Sequence, residues 1–376
     1  MGKSSNRRSN IELLRIFAAL GIVVLHYNNA NIGGGFTAAA DGSNNQFVMI
    51  CFESLFICAV DLFILISGYF LRDSKKSDLL KPVKLLAMYL IFETAFYLIK
   101  ELPKDEPFLL KRFFCYYAPS YWFIFVYIAL YLISPFISVM WNNLSKNAKK
   151  TLLMISALLF SVLPIFWESV TLMSDKCIWD EDSISFYGLL QGTSPIGIFG
   201  SGAGYTIVNF VLLYLIGCFI KDLEEENIRF KNSVLCILLL INVAAIVGWT
   251  YAEFHFTGTV VFATTAWNYE NPFVISEAVI IFLIFKNMRI KNNKVINTLA
   301  LAAFPTYLIH INIMGYFKIP EFVKQGTSVF ILHLFGTVLL NYLICFVIFK
   351  IYDLITCPLY RYISDKWQKH RFIEVP

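Results

Sequence analysis

The sequence predicts an all-α fold, a polytopic bundle of about ten transmembrane helices with both termini in the cytoplasm, and three observations carry that prediction. The 376 residues are 58% hydrophobic and only 15% charged, with a mean hydropathy of +0.64. Soluble domains carry about a quarter charged residues, so a large apolar surface here must face lipid. Apolar stretches of roughly 17 to 25 residues, the length that crosses a bilayer, recur along the chain. The basic residues alternate with them: if the N-terminus lies inside, 24 of the 31 Lys and Arg fall at inner loops or helix ends, the bias that orients membrane proteins.

The first stretch, 11–27, follows Lys3, Arg7 and Arg8. A basic start before an apolar run also fits a secretory signal peptide. No small-residue cleavage site follows, however, and Asn28, Asn29 and Asn31 come directly after, so the segment reads as an uncleaved first helix. The second, 47–71, ends on Arg72, Lys75 and Lys76. The third, 84–100, begins behind Lys81 and Lys84. The fourth, 118–140, opens on Tyr121 and Trp122, the aromatic signature of a membrane interface, and the fifth, 152–167, follows Lys146, Lys149 and Lys150. A long outer connection, 168–204, is acidic from Asp175 to Asp182 and glycine-rich thereafter. It is expected to be a flexible link or a cover over an outer entrance. A phosphate-cradling loop is not expected, because no strand precedes the glycines and no P-loop lysine follows them. Spans six to ten are placed at 205–220, 234–251, 271–286, 297–315 and 328–350, with a basic cytoplasmic tail over 351–376. The chain reads as one integral membrane domain, 1–376, with the bundle over 10–350; spans and short loops leave no room for a separate soluble catalytic domain.

These features exclude several functions. The formal charge of +5 follows from membrane topology, and no compact basic module is present to bind nucleic acid. Eight cysteines include no C-x-x-C pair, so no metal site is expected. Cys115 and Cys177 are the two placed for an outer disulfide.

Ionisable side chains inside spans are expensive and mark functional paths. Arg15 and His26 lie eleven residues apart in the first span. At about 100° per residue they return to one helical face, separated by ~16 Å along the axis. Glu12, three residues before Arg15, can pair with it. Asp61 stands alone in the apolar run 59–66 and needs a partner; His26 or a bundle arginine can serve. His310, by residue counting, lies at a depth similar to His26. Trp122 and its tyrosine neighbours form either an aromatic belt or a face for a sugar ring. Glu53, Glu93 and Glu277 are span carboxylates without a motif. His255, His333 and His370 lie in or beside predicted loops and need no catalytic explanation.

The segment NIELLRIFAALGIVVLH at 10–26 resembles the acyltransferase 3 family of integral membrane acyltransferases, especially members that modify cell-surface glycans. VDLFILISGYFL at 60–71, YWFIFVYIALYLISPF at 121–136, YLIGCFI at 214–220 and TYLIHI at 306–311 are similar to later signatures of the family, in family order. The resemblance implies an O-acyltransferase, most simply an O-acetyltransferase. Its donor would be acetyl-CoA or another acyl-CoA, taken as a substrate, with no permanently bound cofactor. The acceptor would be a hydroxyl of a surface polysaccharide or lipid-linked glycan, and the location a cell membrane, that of a bacterial cytoplasm. Arg15, with Lys81 and Lys84, is then expected to hold the donor; Lys81, Pro82 and Lys84 stand where relatives often begin an arginine-rich stretch. His26 is expected to be the general base, or less simply the carrier of a transient acyl group, with Asp61 in support and Trp122 and His310 toward the acceptor. No counterpart of the fused hydrolase-like domain of some relatives is read in these residues, so transfer is expected to be completed by the bundle or by a separate extracellular partner. Two other readings stay open: a glycan flippase or polymerase, and a non-catalytic transport bundle using the same polar path.

Overall fold

The computed structural model describes residues 7–100, 121–173, 190, 202–258, 264–367 and 372–375. The first span is α1 (Ser9–Asn28). A short helix, α2 (Gly35–Ala38), leads into a second span broken into α3 (Asn44–Phe56) and α4 (Ala59–Leu71). Then come a short strand, β1 (Lys76–Asp78), α5 (Leu80–Lys100) and α6 (Trp122–Asn143). The fifth span joins α7 (Lys146–Ala157) through a π-helical turn, Leu158–Val162, to α8 (Leu163–Met173). It is followed by α9 (Ile207–Glu225), α10 (Asn232–Thr257) and α11 (Pro272–Asn287). The ninth span couples α12 (Lys294–Leu299) to α13 (Ala303–Met314), and a short α14 (Ile319–Val323) precedes α15 (Thr327–Lys366) and a second strand, β2 (Phe372–Glu374).

Among the described residues, eight helical stretches are long and apolar enough to cross a membrane. Of the ten expected spans, α9 and α11 fall outside that set. With 16 residues, α11 is ~24 Å long, shorter than a typical hydrocarbon core. The last turns of α9 carry Lys221, Asp222, Glu224 and Glu225. Both pack inside the bundle: Phe210, Leu213, Tyr214, Val274, Ala278 and Phe282 have no exposed surface. A helix surrounded by protein need not match the lipid thickness.

Local chemistry fixes the helix starts. The side chains of Ser43, Ser145, Thr206, Asn271 and Asn293 each accept a hydrogen bond from a first-turn backbone N–H of α3, α7, α9, α11 and α12, satisfying donors that a helix leaves orphaned. Pro272 at the start of α11 has no N–H to lose. Pro135 stands inside α6 and removes an N–H there. The carbonyl it would have engaged, that of Tyr131, accepts instead from the hydroxyls of Ser134 (2.8 Å) and of Ser77 in β1 (2.9 Å). A proline defect in one helix thereby anchors a strand at the basic end of the bundle.

Helices α4 and α9 cross in close contact. A Cβ on Gly68 would lie 2.1 Å from the Tyr214 carbonyl oxygen, and one on Gly217 would lie 2.5 Å from that of Leu65. Small residues allow such approach in lipid, where apolar burial alone does not drive helices together. Gly68→Ala is therefore expected to destabilise the protein by about 1 to 3 kcal/mol, since the obstacle is backbone that cannot rotate away. Thermal unfolding in detergent checks this; an unchanged midpoint would contradict the crossing.

The segment read as a basic tail continues the last helix and then forms a strand. Helix α15 continues through Pro358 to Lys366. Beyond it, β2 pairs antiparallel with β1, setting Lys76 opposite Glu374 and Ser77 opposite Ile373. His333, placed near a loop from the sequence, lies within α15. Its Nδ1 accepts from the Tyr27 hydroxyl at 2.8 Å, and its Nε2 faces the Phe317 carbonyl at 3.0 Å. Tyr27 supplies an apolar ring with a polar tip, which explains why it anchors two helices beside the neighbouring His26. The acidic outer stretch, most of the glycine run, Cys115, Cys177 and His370 lie outside the described residues.

Candidate functional site

The polar groups of α1 open into a cavity of about 420 Å³, within the ordinary range for small-molecule sites. Arg15, Lys81 and Lys84, the three cations singled out from the sequence, all line it, together with Arg7, Glu12, Tyr127 and Tyr131. Arg15 bonds Glu12 at 3.2 Å, the pairing its spacing predicts. That contact orients the guanidinium while more than a third of the side chain stays exposed, 37%. The Lys81 ammonium sits over the Tyr131 ring at 5.1 Å and that of Lys84 over Tyr360 at 5.0 Å, attractive positions for a cation on an aromatic face. Since the freed Tyr131 carbonyl also accepts from the Ser77 hydroxyl, the Pro135 defect positions one wall of this cavity.

Inward, the cavity narrows to an apolar slot of about 20 Å³ lined by Ile22, Val60, Phe63, Phe123, Ala303, Phe304 and Tyr307. Phe63, Phe123, Ala303 and Phe304 line both spaces. Ile22 lies one turn before His26 on the same face of α1, so the path from Arg15 leads toward the imidazole. The slot has room for about one water, and among its described lining residues only Tyr307 has a polar side chain. It admits slim, largely apolar groups.

Above the slot, His26 meets His310. Their rings stack with centroids 4.7 Å apart and planes within 2°, and His26 Nδ1 hydrogen-bonds His310 Nε2. The proton positions follow from the next contact. His310 Nδ1 lies 2.6 Å from the Thr306 carbonyl oxygen, which can only accept, so this nitrogen carries the proton. In a neutral ring, His310 Nε2 is then the acceptor, His26 Nδ1–H is the donor, and Nε2 of His26 is left with its lone pair. His310 has no exposed surface, whereas His26 is half-buried. The similar depth read from the sequence is a direct contact, and His310 lies fully buried behind the half-buried His26.

Asp61 does not fill the place at His26. It is fully buried, and both its carboxyl oxygens lack a hydrogen-bond partner among the described residues. Glu53, without a motif in the sequence, accepts from Asn28 at 2.8 Å. Trp122 packs edge-on against Tyr205 at 4.4 Å and lies 5.9 Å from Tyr269, an aromatic cluster drawn from three parts of the chain. Its tyrosines carried no local signal, because Tyr205 and Tyr269 lie far from Trp122 in sequence and meet it only through the fold. The same holds for His310: TYLIHI marks the helix, but the ring's partner is 284 residues away.

The family profile described as an acyltransferase domain matches residues 8–350, nearly the whole chain. No curated protein and no solved structure matches it. The matched span contains Arg15, His26, Lys81, Lys84, Trp122 and His310, and with the membrane-spanning helices around them the chain belongs to the acyltransferase 3 family and is a membrane acyltransferase.

Proposed function

We propose that this protein takes the acyl group of an acyl-CoA at the basic, cytoplasmic end of the bundle and transfers it to a hydroxyl of a surface polysaccharide or lipid-linked glycan reached from the other side. One observation carries the reading: a cation-lined cavity at the basic end narrows through an apolar slot toward an imidazole with a free Nε2. A CoA thioester matches that order of surfaces, being anionic at one end and slim at the other. Arg15 offers forked donors to an amide or phosphate oxygen of the arm, and the acyl end passes toward His26. There Nε2 takes the proton of the acceptor hydroxyl as its oxygen attacks the thioester carbonyl. The C–S bond breaks as the new ester C–O bond forms, and the departing thiolate takes the proton back from the imidazolium as free CoA leaves. The Trp122, Tyr205 and Tyr269 cluster offers ring faces to a saccharide. The location that fits is a bacterial cytoplasmic membrane, with lipid and the acceptor as the other partners.

Arg15→Lys tests the donor contact. The charge survives and the planar fork does not, so affinity for acyl-CoA is expected to fall about tenfold, the cost of a charge-assisted hydrogen bond, with normal expression. Calorimetry on purified protein reads it. Unchanged affinity in both Arg15→Lys and Arg15→Ala would leave Arg15 as a membrane-surface anchor.

A further inference from the structure

A second, larger cavity of about 810 Å³ opens at the basic end, beside the first. Arg7 lines both. Its cations come from three separate segments: Arg7 and Arg8 before α1, Arg229 between α9 and α10, and Lys286 and Arg289 at and after the end of α11. Among the described residues, Glu224 is the one carboxylate in the lining, and it is already engaged by Arg8 at 3.2 Å and by the Tyr69 hydroxyl. Arg229 and Arg289 are exposed and have no ion-pair or hydrogen-bond partner among the described residues. Asn10 holds the floor by donating to the carbonyls of Phe285 (3.1 Å) and Lys286 (2.9 Å). Topology alone distributes basic residues among inner loops. It does not gather five of them around one concave, polar-lined space with a single, already neutralised carboxylate. Such a space fits a ligand carrying several phosphate charges, which unpaired guanidinium groups bind in forked fashion.

We infer that this cavity seats the phosphorylated nucleotide end of the acyl donor, a ribonucleotide bearing phosphates at both its 3′ and 5′ positions. The inference rests on the acyl-CoA reading and deepens it. Arg15, Lys81 and Lys84 then serve the arm of the donor, whose cavity is smaller and leads into the apolar slot, while Arg7 stands at the junction between nucleotide and arm. Arg229 and Arg289 are the principal phosphate ligands, being free of any competing carboxylate.

The probe is adenosine 3′,5′-bisphosphate, titrated calorimetrically into the full-length protein in phosphatidylcholine nanodiscs. Binding is expected in the wild type and in Arg15→Ala, and is expected to weaken about tenfold for each arginine removed in Arg229→Ala and Arg289→Ala. Both positions are exposed loop residues, where substitution has little effect on folding. In parallel, the wild type is expected to favour acetyl-CoA over S-acetyl-pantetheine, which lacks the nucleotide, and the double variant is expected to lose most of that preference through a higher KM for acetyl-CoA. Equal binding of the bisphosphate by wild type and double variant would overturn the site. So would absence of wild-type binding, or its appearance as a phosphatidylglycerol headgroup site, with anionic nanodiscs abolishing the bisphosphate signal. Bisphosphate binding without acyl transfer from acetyl-CoA would uphold the cavity and remove the reading of function on which its role depends.

Discussion

His26→Ala is expected to lower acyl transfer by roughly 10² to 10⁴-fold, the usual contribution of general acid–base catalysis, while acyl-CoA binding stays near the wild-type value. The two quantities are expected to separate because the cation-lined cavity and the imidazole have the apolar slot between them. Removing the ring takes away Nε2 and leaves the Arg15–Glu12 pair at the other end of α1. Turnover with saturating donor, measured beside calorimetric donor affinity, reads both. Near-normal transfer by a well-expressed His26→Ala protein would reduce the imidazole to a structural group, and a parallel loss of donor binding would move the donor contact up to His26.

The second large effect is expected at His310, which is fully buried and hydrogen-bonds His26. His310→Ala removes the acceptor of His26 Nδ1–H, so the tautomer that leaves Nε2 free is no longer enforced. Transfer should fall on the order of 10²-fold, less than the loss of the base itself. His310→Gln restores the pattern in part, since its carbonyl oxygen can accept from His26 while its amide donates to the Thr306 carbonyl. Three readouts separate positioning from simple support of the fold: recovery of turnover in the glutamine variant, an unchanged KM for the donor, and a displaced pH–rate profile in the alanine variant. Equal, pH-independent losses in both variants, with lowered thermal stability, would assign the residue to packing.

Much of this was legible in local spacing. The Arg15 and His26 face, the Glu12 contact and the alternation of basic loops all follow from helix geometry and lipid solvation, which act within a few turns of chain. The helix starts at Ser43, Ser145, Thr206, Asn271 and Asn293 obey capping chemistry of the same short range, although apolar length alone places the spans in the sequence. What could not be read were partnerships made across the bundle. Asp61 was the more conspicuous candidate partner for His26, being a lone carboxylate in an apolar run, yet His310 occupies that place because α13 packs beside α1 at the same depth. The order of the chain end was hidden for a similar reason: β2 depends on β1, almost 300 residues earlier, and β1 is held by a carbonyl that Pro135 sets free. The charge-rich end of α9 and the short α11 show the limit of reading spans by length, because helices enclosed by protein answer to packing and not to bilayer thickness.

Purified protein in proteoliposomes, supplied with acetyl-CoA labelled in its acetyl carbons and with the surface glycan of its own cell, tests the central claim most directly. Mass spectrometry is expected to find labelled acetyl in ester linkage on the glycan, with free CoA released in equal amount, and both products reduced by roughly 10²-fold or more with the His26→Ala protein. Glycan that crosses the bilayer unmodified while the label stays on CoA would contradict the account.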